Sequence, residues 1–172
     1  QVRNVDAFAF VRNGRDLYDR VIIDFPDPHN EALSKLYAFE FYRMVAARMQ
    51  PWAVMTTQSS SPFFARRTYW SVAGTIDAVF PGVTSYSVAI PAFGVWGFHL
   101  ARKAGPGAPD LPDLPADLAF LTPQVFAAAQ VFAADIDRPR GALAVNSVFE
   151  PGLYQTYLRD LQSSPVVRPG IL

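Results

Sequence analysis

Tyr18-Asp19-Arg20-Val21-Ile22-Ile23-Asp24-Phe25-Pro26-Asp27-Pro28 is the stretch on which the fold turns. A β-branched run closed by an acid, then by two prolines, predicts a buried parallel strand whose C-terminal end opens into a loop. Upstream, residues 7–17 predict a short helix that stops near Gly14. Downstream, Leu33, Tyr37, Phe41, Met44 and Val45 fall at helical spacing within 31–49, with Lys35, Arg43 and Arg48 elsewhere. Residues 52–57 predict a second apolar strand, ending at Gln58 and a serine-rich turn. Ser61-Pro62 offers a capping hydroxyl and a proline suited to the first helical position, so a helix is expected from there to about Val79. Pro81-Gly82 ends it, and 83–89 and 95–101 predict two strands joined by Ile90-Pro91-Ala92-Phe93-Gly94. Strand, helix, strand, helix, then two strands is the C-terminal half of a doubly wound α/β sheet. It should be mostly parallel, with a terminal antiparallel strand.

Beyond residue 103 the composition changes. Pro106, Pro109, Pro112 and Pro115 sit among Gly, Ala and Asp, which predicts a semi-rigid linker over 104–117. Thr122-Pro123 starts a helix over 124–134, and a turn or two of helix is expected around 153–161 in a tail, 118–172, that packs on the domain. The whole chain has 172 residues, 51% of them hydrophobic, enough for one sizeable core and hardly for two. Its 15 basic and 15 acidic side chains cancel, which argues against a nucleic-acid partner. Cysteine is absent and there are two histidines, so thiolate chemistry is excluded and no metal site is expected. Mean hydropathy is slightly positive, +0.11. The longest run without Asp, Glu, Lys or Arg, 78–101, nevertheless carries Pro81, Gly82, Pro91, Gly94 and Gly97, unlike a spanning helix. No signal peptide is visible at the start, and a soluble chain is expected.

In open α/β sheets, ligands bind outside the carboxyl ends of the strands. Three segments are expected there: Asp6 before the first helix, Asp24 to Asp27, and Gln58-Ser59-Ser60-Ser61. Two carboxylates three residues apart in a proline-flanked loop suit a cationic ligand, or removal of a proton from an ammonium group. Either acid alone also reads as a turn or cap residue. The serines read as a capping turn, since no G-x-S-x-G surrounds them. His99, inside a strand, reads as a core or edge histidine, while His29 follows the acidic loop and could line the site. Arg66 and Arg67 read as a solvated helix face.

The ordered set of motifs resembles the spermidine synthase (polyamine aminopropyltransferase) family. It comprises Val5-Asp6-Ala7-Phe8, Tyr18-Asp19 leading to Ile22-Ile23-Asp24 and Asp27-Pro28, Leu36-Tyr37 with Glu40-Phe41-Tyr42, Gln58 through Arg66, and Ile90 through Phe98. The resemblance covers about residues 2–103. Leu118-Ala119-Phe120-Leu121-Thr122-Pro123 and Val145-Asn146 resemble the tail of the family's bacterial, membrane-attached branch. The resemblance implies a Rossmann-like, methyltransferase-type sheet. It also implies transfer of the aminopropyl group of decarboxylated S-adenosylmethionine, a co-substrate and not a bound cofactor, to a polyamine amine such as putrescine. Asp24 matches the general base, Asp27 the acid that holds the attacking amine, and Gln58 a polar residue lining the acceptor site. Asp6, with Ala7 beside it, falls where the family hydrogen-bonds the adenine amino group.

Two departures stand out. Phe93 occupies a position where many relatives carry a tyrosine that contacts the acceptor. The family's glycine-rich loop, its ribose-binding acid and the acid that positions the aminopropyl group would all lie upstream of Asp6. The expectation is therefore a partial catalytic domain over 1–103, lacking the donor-binding half, whose exposed strand edge drives self-association unless the tail packs across it. A non-catalytic fragment and a methyltransferase-like domain are the alternatives, and the acid pair favours amine chemistry over the latter. The substrates imply a cytoplasmic location, on the cytoplasmic face of the membrane if the parent protein is membrane-attached.

Overall fold

A computed structural model describes residues 1–92, 94–106, 114–115 and 117–164. Along these run α1 (Ala7–Asn13), β1 (Tyr18–Ile23), α2 (Glu31–Ser34), a 3-10 turn (Lys35–Tyr37) and α3 (Phe39–Ala47). There follow β2 (Met49–Gln58), α4 (Arg66–Asp77), β3 (Gly82–Ile90), β4 (Gly94–Arg102), α5 (Pro123–Ala129) and α6 (Leu153–Ser163). The spatial order of the sheet is β1-β2-β4-β3. β1 pairs parallel to β2, while β4 runs antiparallel to both of its neighbours. Three strands thus share one direction, as the α/β reading requires, and the antiparallel strand is inserted between β2 and β3.

Strand alternation divides the work of the two faces. Ile23, Ala53, Met55 and Ala101 face the helical layer and form one core with Phe41, Tyr42 and Val45 of α3 and Val72 and Ile76 of α4. Phe8 of α1 packs against Phe41, with ring centroids 5.9 Å apart. On the other face Tyr86 stacks on Phe98 at 5.3 Å, with Phe126 of α5 beside it. β1 departs from the expected buried strand. It lies at the edge, and Ile22 is 80% exposed, because among the described residues no strand or helix covers its outer side.

The helix expected over 31–49 is broken at Ala38, whose backbone is extended (φ −88°, ψ 155°). The break is held open by the tail: the Phe39 amide, freed from helical bonding, donates to the Asn146 carbonyl at 2.8 Å. Asn146 also donates its own amide to Thr75 Oγ1 at 2.9 Å and its side-chain Nδ2 to the Ser34 carbonyl at 2.8 Å. The tail passes this close because Gly74 has no side chain; a Cβ there would stand 2.5 Å from Leu143 Cβ.

The helix expected from Ser61-Pro62 starts at Arg66 instead, and no side chain caps it at its own N-terminus. Ser61 sits in the preceding turn, accepting the Ala65 amide through its carbonyl at 2.9 Å. The cap comes from α6, where Asp160 Oδ2 accepts Thr68 N–H at 2.8 Å and Thr68 Oγ1 at 2.9 Å. Arg67 is exposed, as expected of a solvated face, while Arg66, half-buried, donates through Nε and Nη2 to the Asp137 carbonyl at 3.0 and 2.7 Å. The tail helix around 153–161 is longer than the expected turn or two. Much of the proline-rich linker, 107–113 and 116, lies outside the described residues.

Candidate functional site

The carboxyl ends of β1 and β2 lie side by side because the two strands are parallel and in register, Ile23 opposite Thr57. The loop leaving β1 carries Asp24 and Asp27, and the end of β2 carries Gln58. Together with Ile22, Thr56, Tyr86, Ile90, Trp96 and Phe98 they bound a cavity of about 630 Å³. The lining thus combines carboxylates with aromatic rings.

Asp24 is exposed at the rim, whereas Asp27 is half-buried and tied down. Asp27 Oδ2 accepts the Tyr157 hydroxyl at 2.8 Å and the Ser60 hydroxyl at 3.2 Å; Oδ1 stands 3.5 Å from Gln58 Nε2. Burial pushes the Asp27 carboxyl above its ordinary value, opposed by the hydrogen bonds from Tyr157, Ser60 and Gln58 and by the nearby His29. Burial also raises Tyr157, as does the negative charge of Asp27, so its proton stays on oxygen as a donor. Tyr37 is raised for the same first reason, then by Tyr42, Asp27 and Asp24.

Gln58, 5% exposed, is engaged at both ends of its amide. Oε1 accepts Ser60 N–H at 2.8 Å and the Trp96 indole N–H at 3.1 Å; Nε2 donates to the Phe25 carbonyl and lies 2.8 Å from the Tyr37 hydroxyl. It therefore holds the acidic loop against the strand that supplies Trp96 and Phe98. Ser60 adopts φ 66°, the one positive φ outside glycine among the described residues. Such a conformation costs energy and persists where surrounding bonds enforce it. Here it turns the hydroxyl onto Asp27 while its carbonyl takes the Gly97 amide at 2.7 Å.

The structure brings Asp24, Asp27 and Gln58 together and places Asp6 and Ala7 elsewhere. Asp6 Oδ1 caps α1, accepting Ala9 N–H at 2.7 Å. Ala7 lines a second cavity of about 570 Å³ with Arg3, Val5, Phe10, Asp16 and Tyr18. Phe93 lies outside the described residues. His29 is exposed and His99 is buried in the sheet, away from the cavity. Sequence reasoning missed Tyr157 and Trp96. Trp96 alternates with Phe98 on one strand face, a signal that was available; Tyr157 lies 130 positions from Asp27 and gave none.

Residues 1–108 match the family model for the spermine/spermidine synthase domain. Polyamine aminopropyltransferase 1 of Streptomyces coelicolor is 42% identical over 163 residues, covering 93% of this chain and 30% of that protein. The polyamine aminopropyltransferase of Oceanobacillus iheyensis is 36% identical over 159 residues, covering 91% and 31%. The chain thus spans about 30% of the length of these relatives. A spermidine synthase solved in complex with the transition-state analogue AdoDATO superposes with a TM-score of 0.66 at 18% identity, over 77% of this chain and 48% of that one. The spermidine synthase of Thermotoga maritima gives 0.61 at 19% identity, over 75% and 45%. At such identities these two matches establish the shared fold.

Proposed function

The chain belongs to the spermine/spermidine synthase family, and on that premise we propose that its acidic cavity takes the amine acceptor in an aminopropyl transfer. The observation that carries this reading is that Asp24 and Asp27 line one cavity together with Tyr86, Trp96 and Phe98. A di- or polyamine is a flexible apolar chain with cationic ends. Carboxylates attract the ends, and aromatic faces suit both the methylenes and the charge.

Asp24, at the rim, takes a proton from the acceptor ammonium and frees a lone pair on nitrogen. That pair attacks the aminopropyl methylene bonded to the sulfonium of decarboxylated S-adenosylmethionine. The C–N bond forms as the C–S bond breaks, and the bonding electrons return to sulfur, leaving neutral methylthioadenosine. Asp27 holds the acceptor in line for attack, which lowers the entropic part of the barrier. Gln58 holds the acidic loop through the Phe25 carbonyl and Asp27, and Phe93 is assigned to acceptor binding by the family resemblance alone. Asp6 and Ala7 contact the adenine of the donor. Residues 1–103 form the catalytic portion, 104–117 the linker and 118–172 the tail. The substrates place the activity in the cytoplasm, without a nucleic-acid partner. No described helix is long and apolar enough to cross a membrane, and attachment to the cytoplasmic face would come from the parent protein.

The test is mass spectrometry of the chain incubated with decarboxylated S-adenosylmethionine and a panel of diamines and polyamines. Where the donor site is complete, the expected result is a product heavier by one aminopropyl group, reduced about 10²- to 10⁴-fold in Asp24→Asn, the usual range for loss of a general base. Absence of product with every amine would mean that this chain alone lacks a working donor site, and a full-length protein equally inactive would reject the reading.

A further inference from the structure

Helix α6 buries Leu153, Tyr157 and Asp160 along one face. Leu153 enters the main core, its amide donates to Asn146 Oδ1 at 3.3 Å, and Asp160 caps α4. The helix is thus anchored on either side of Tyr157, and a phenylalanine ring would fill the same space. What the hydroxyl adds is its 2.8 Å bond to Asp27 Oδ2. Ser60 donates to that same oxygen. Oδ2 is therefore occupied by two donors from the protein, while Oδ1, with only the long 3.5 Å contact from Gln58 Nε2, keeps a lone pair for a cation in the cavity.

We propose that Tyr157 is a positioning residue of the acceptor pocket, its hydroxyl fixing the Asp27 carboxylate so that Oδ1 is presented to the acceptor ammonium. The proposal rests on the reading of Asp27 as the acceptor-binding acid. It makes the tail helix, far from the strands in sequence, part of acceptor recognition.

The titratable and charged groups around Asp27 are Asp24 and His29 on its own loop, Tyr37 from the 3-10 turn and Tyr157 from α6. Of these, Tyr157 donates directly to its carboxylate, and a donor to the ionised form favours that form. Removing the hydroxyl should therefore move the Asp27 titration to higher pH and weaken acceptor binding.

The experiment follows the Asp27 side-chain carboxyl carbon by NMR through a pH titration, with and without 1,4-diaminobutane (putrescine). In Tyr157→Phe the midpoint should rise and diaminobutane affinity fall roughly tenfold, the scale of one hydrogen bond to a charged group. Tyr154→Phe, on the same helix, should change neither. In the wild type the hydroxyl-bearing ring carbon of Tyr157 should report the same midpoint as Asp27, a readout that needs no variant. An unchanged midpoint in Tyr157→Phe, equal affinity in both proteins, or a Tyr157 signal blind to the Asp27 titration would overturn the proposal. If Tyr157→Phe moves the midpoint while diaminobutane leaves the wild-type Asp27 signal unmoved, the acceptor reading fails and the Tyr157–Asp27 coupling survives.

Discussion

His99, buried, lies in a polar row that crosses the sheet from Thr57 through His99 to the half-buried Ser85. Its Nε2 meets the Tyr69 carbonyl at 3.1 Å, an acceptor only, so Nε2 carries the proton; Nδ1 then accepts the Ser85 hydroxyl at 3.0 Å. Tyr69 stacks on the ring at 4.4 Å. Burial pushes the imidazole down to about 3, against the Tyr69 carbonyl bond that favours the charged form. The unfolded chain therefore binds a proton near pH 6.5 that the folded chain refuses, and stability is lost as pH falls below that value. The unfolding free energy from urea titrations should drop between pH 6.5 and 5 by up to about 1.4 kcal/mol per pH unit, and His99→Gln should flatten the slope. A pH-independent wild type over this window would show that the folded state accepts the proton. His99 as a strand histidine was legible from the alternation around it. The pinning of Asp27 was not, because its two closest donors come from a strained serine and from the far tail.

Among the elements, α5 starts as its residues predict, Thr122 Oγ1 accepting Val125 N–H at 3.1 Å with Pro123 in the first turn, but it ends at Ala129, short of the expected residue 134. The same signal at Ser61-Pro62 misleads, because the turn there closes on itself and α4 receives its cap from Asp160, 92 positions away. Local chemistry identifies a start only where the cap is local. The split of 31–49 has the same cause, since the partner that accepts the Phe39 amide is Asn146. Asp160→Ala should leave the Thr68 donors unsatisfied in a buried setting and cost about 2 kcal/mol of stability, measured by thermal or urea unfolding. A loss near zero would mean that water replaces the carboxylate.

For the whole molecule, strand order by direction was readable because β-branched runs and breakers are local signals. The insertion of β4 between β2 and β3 depends on long-range pairing. The outer edge of β1 is the most exposed consequence of that arrangement. An edge strand presents unpaired N–H and C=O groups to other chains, and Ile22 lies beside it, exposed. The isolated chain should self-associate with rising concentration in sedimentation velocity, and Ile22→Lys should shift it toward monomer; a wild type monomeric throughout would refute association through this edge. The tail carries another consequence, for the order in which the molecule is made. The Phe39 amide waits for residue 146, Asp27 for residue 157 and the N-terminus of α4 for residue 160. At translation rates of about 5–20 residues per second, the sheet emerges seconds before these partners do. The nascent chain therefore passes through a stage with strands available but its acidic loop slack. A product cut short before Asn146 would keep that slackness permanently, and quality control could recognise it by the uncovered flank of α4.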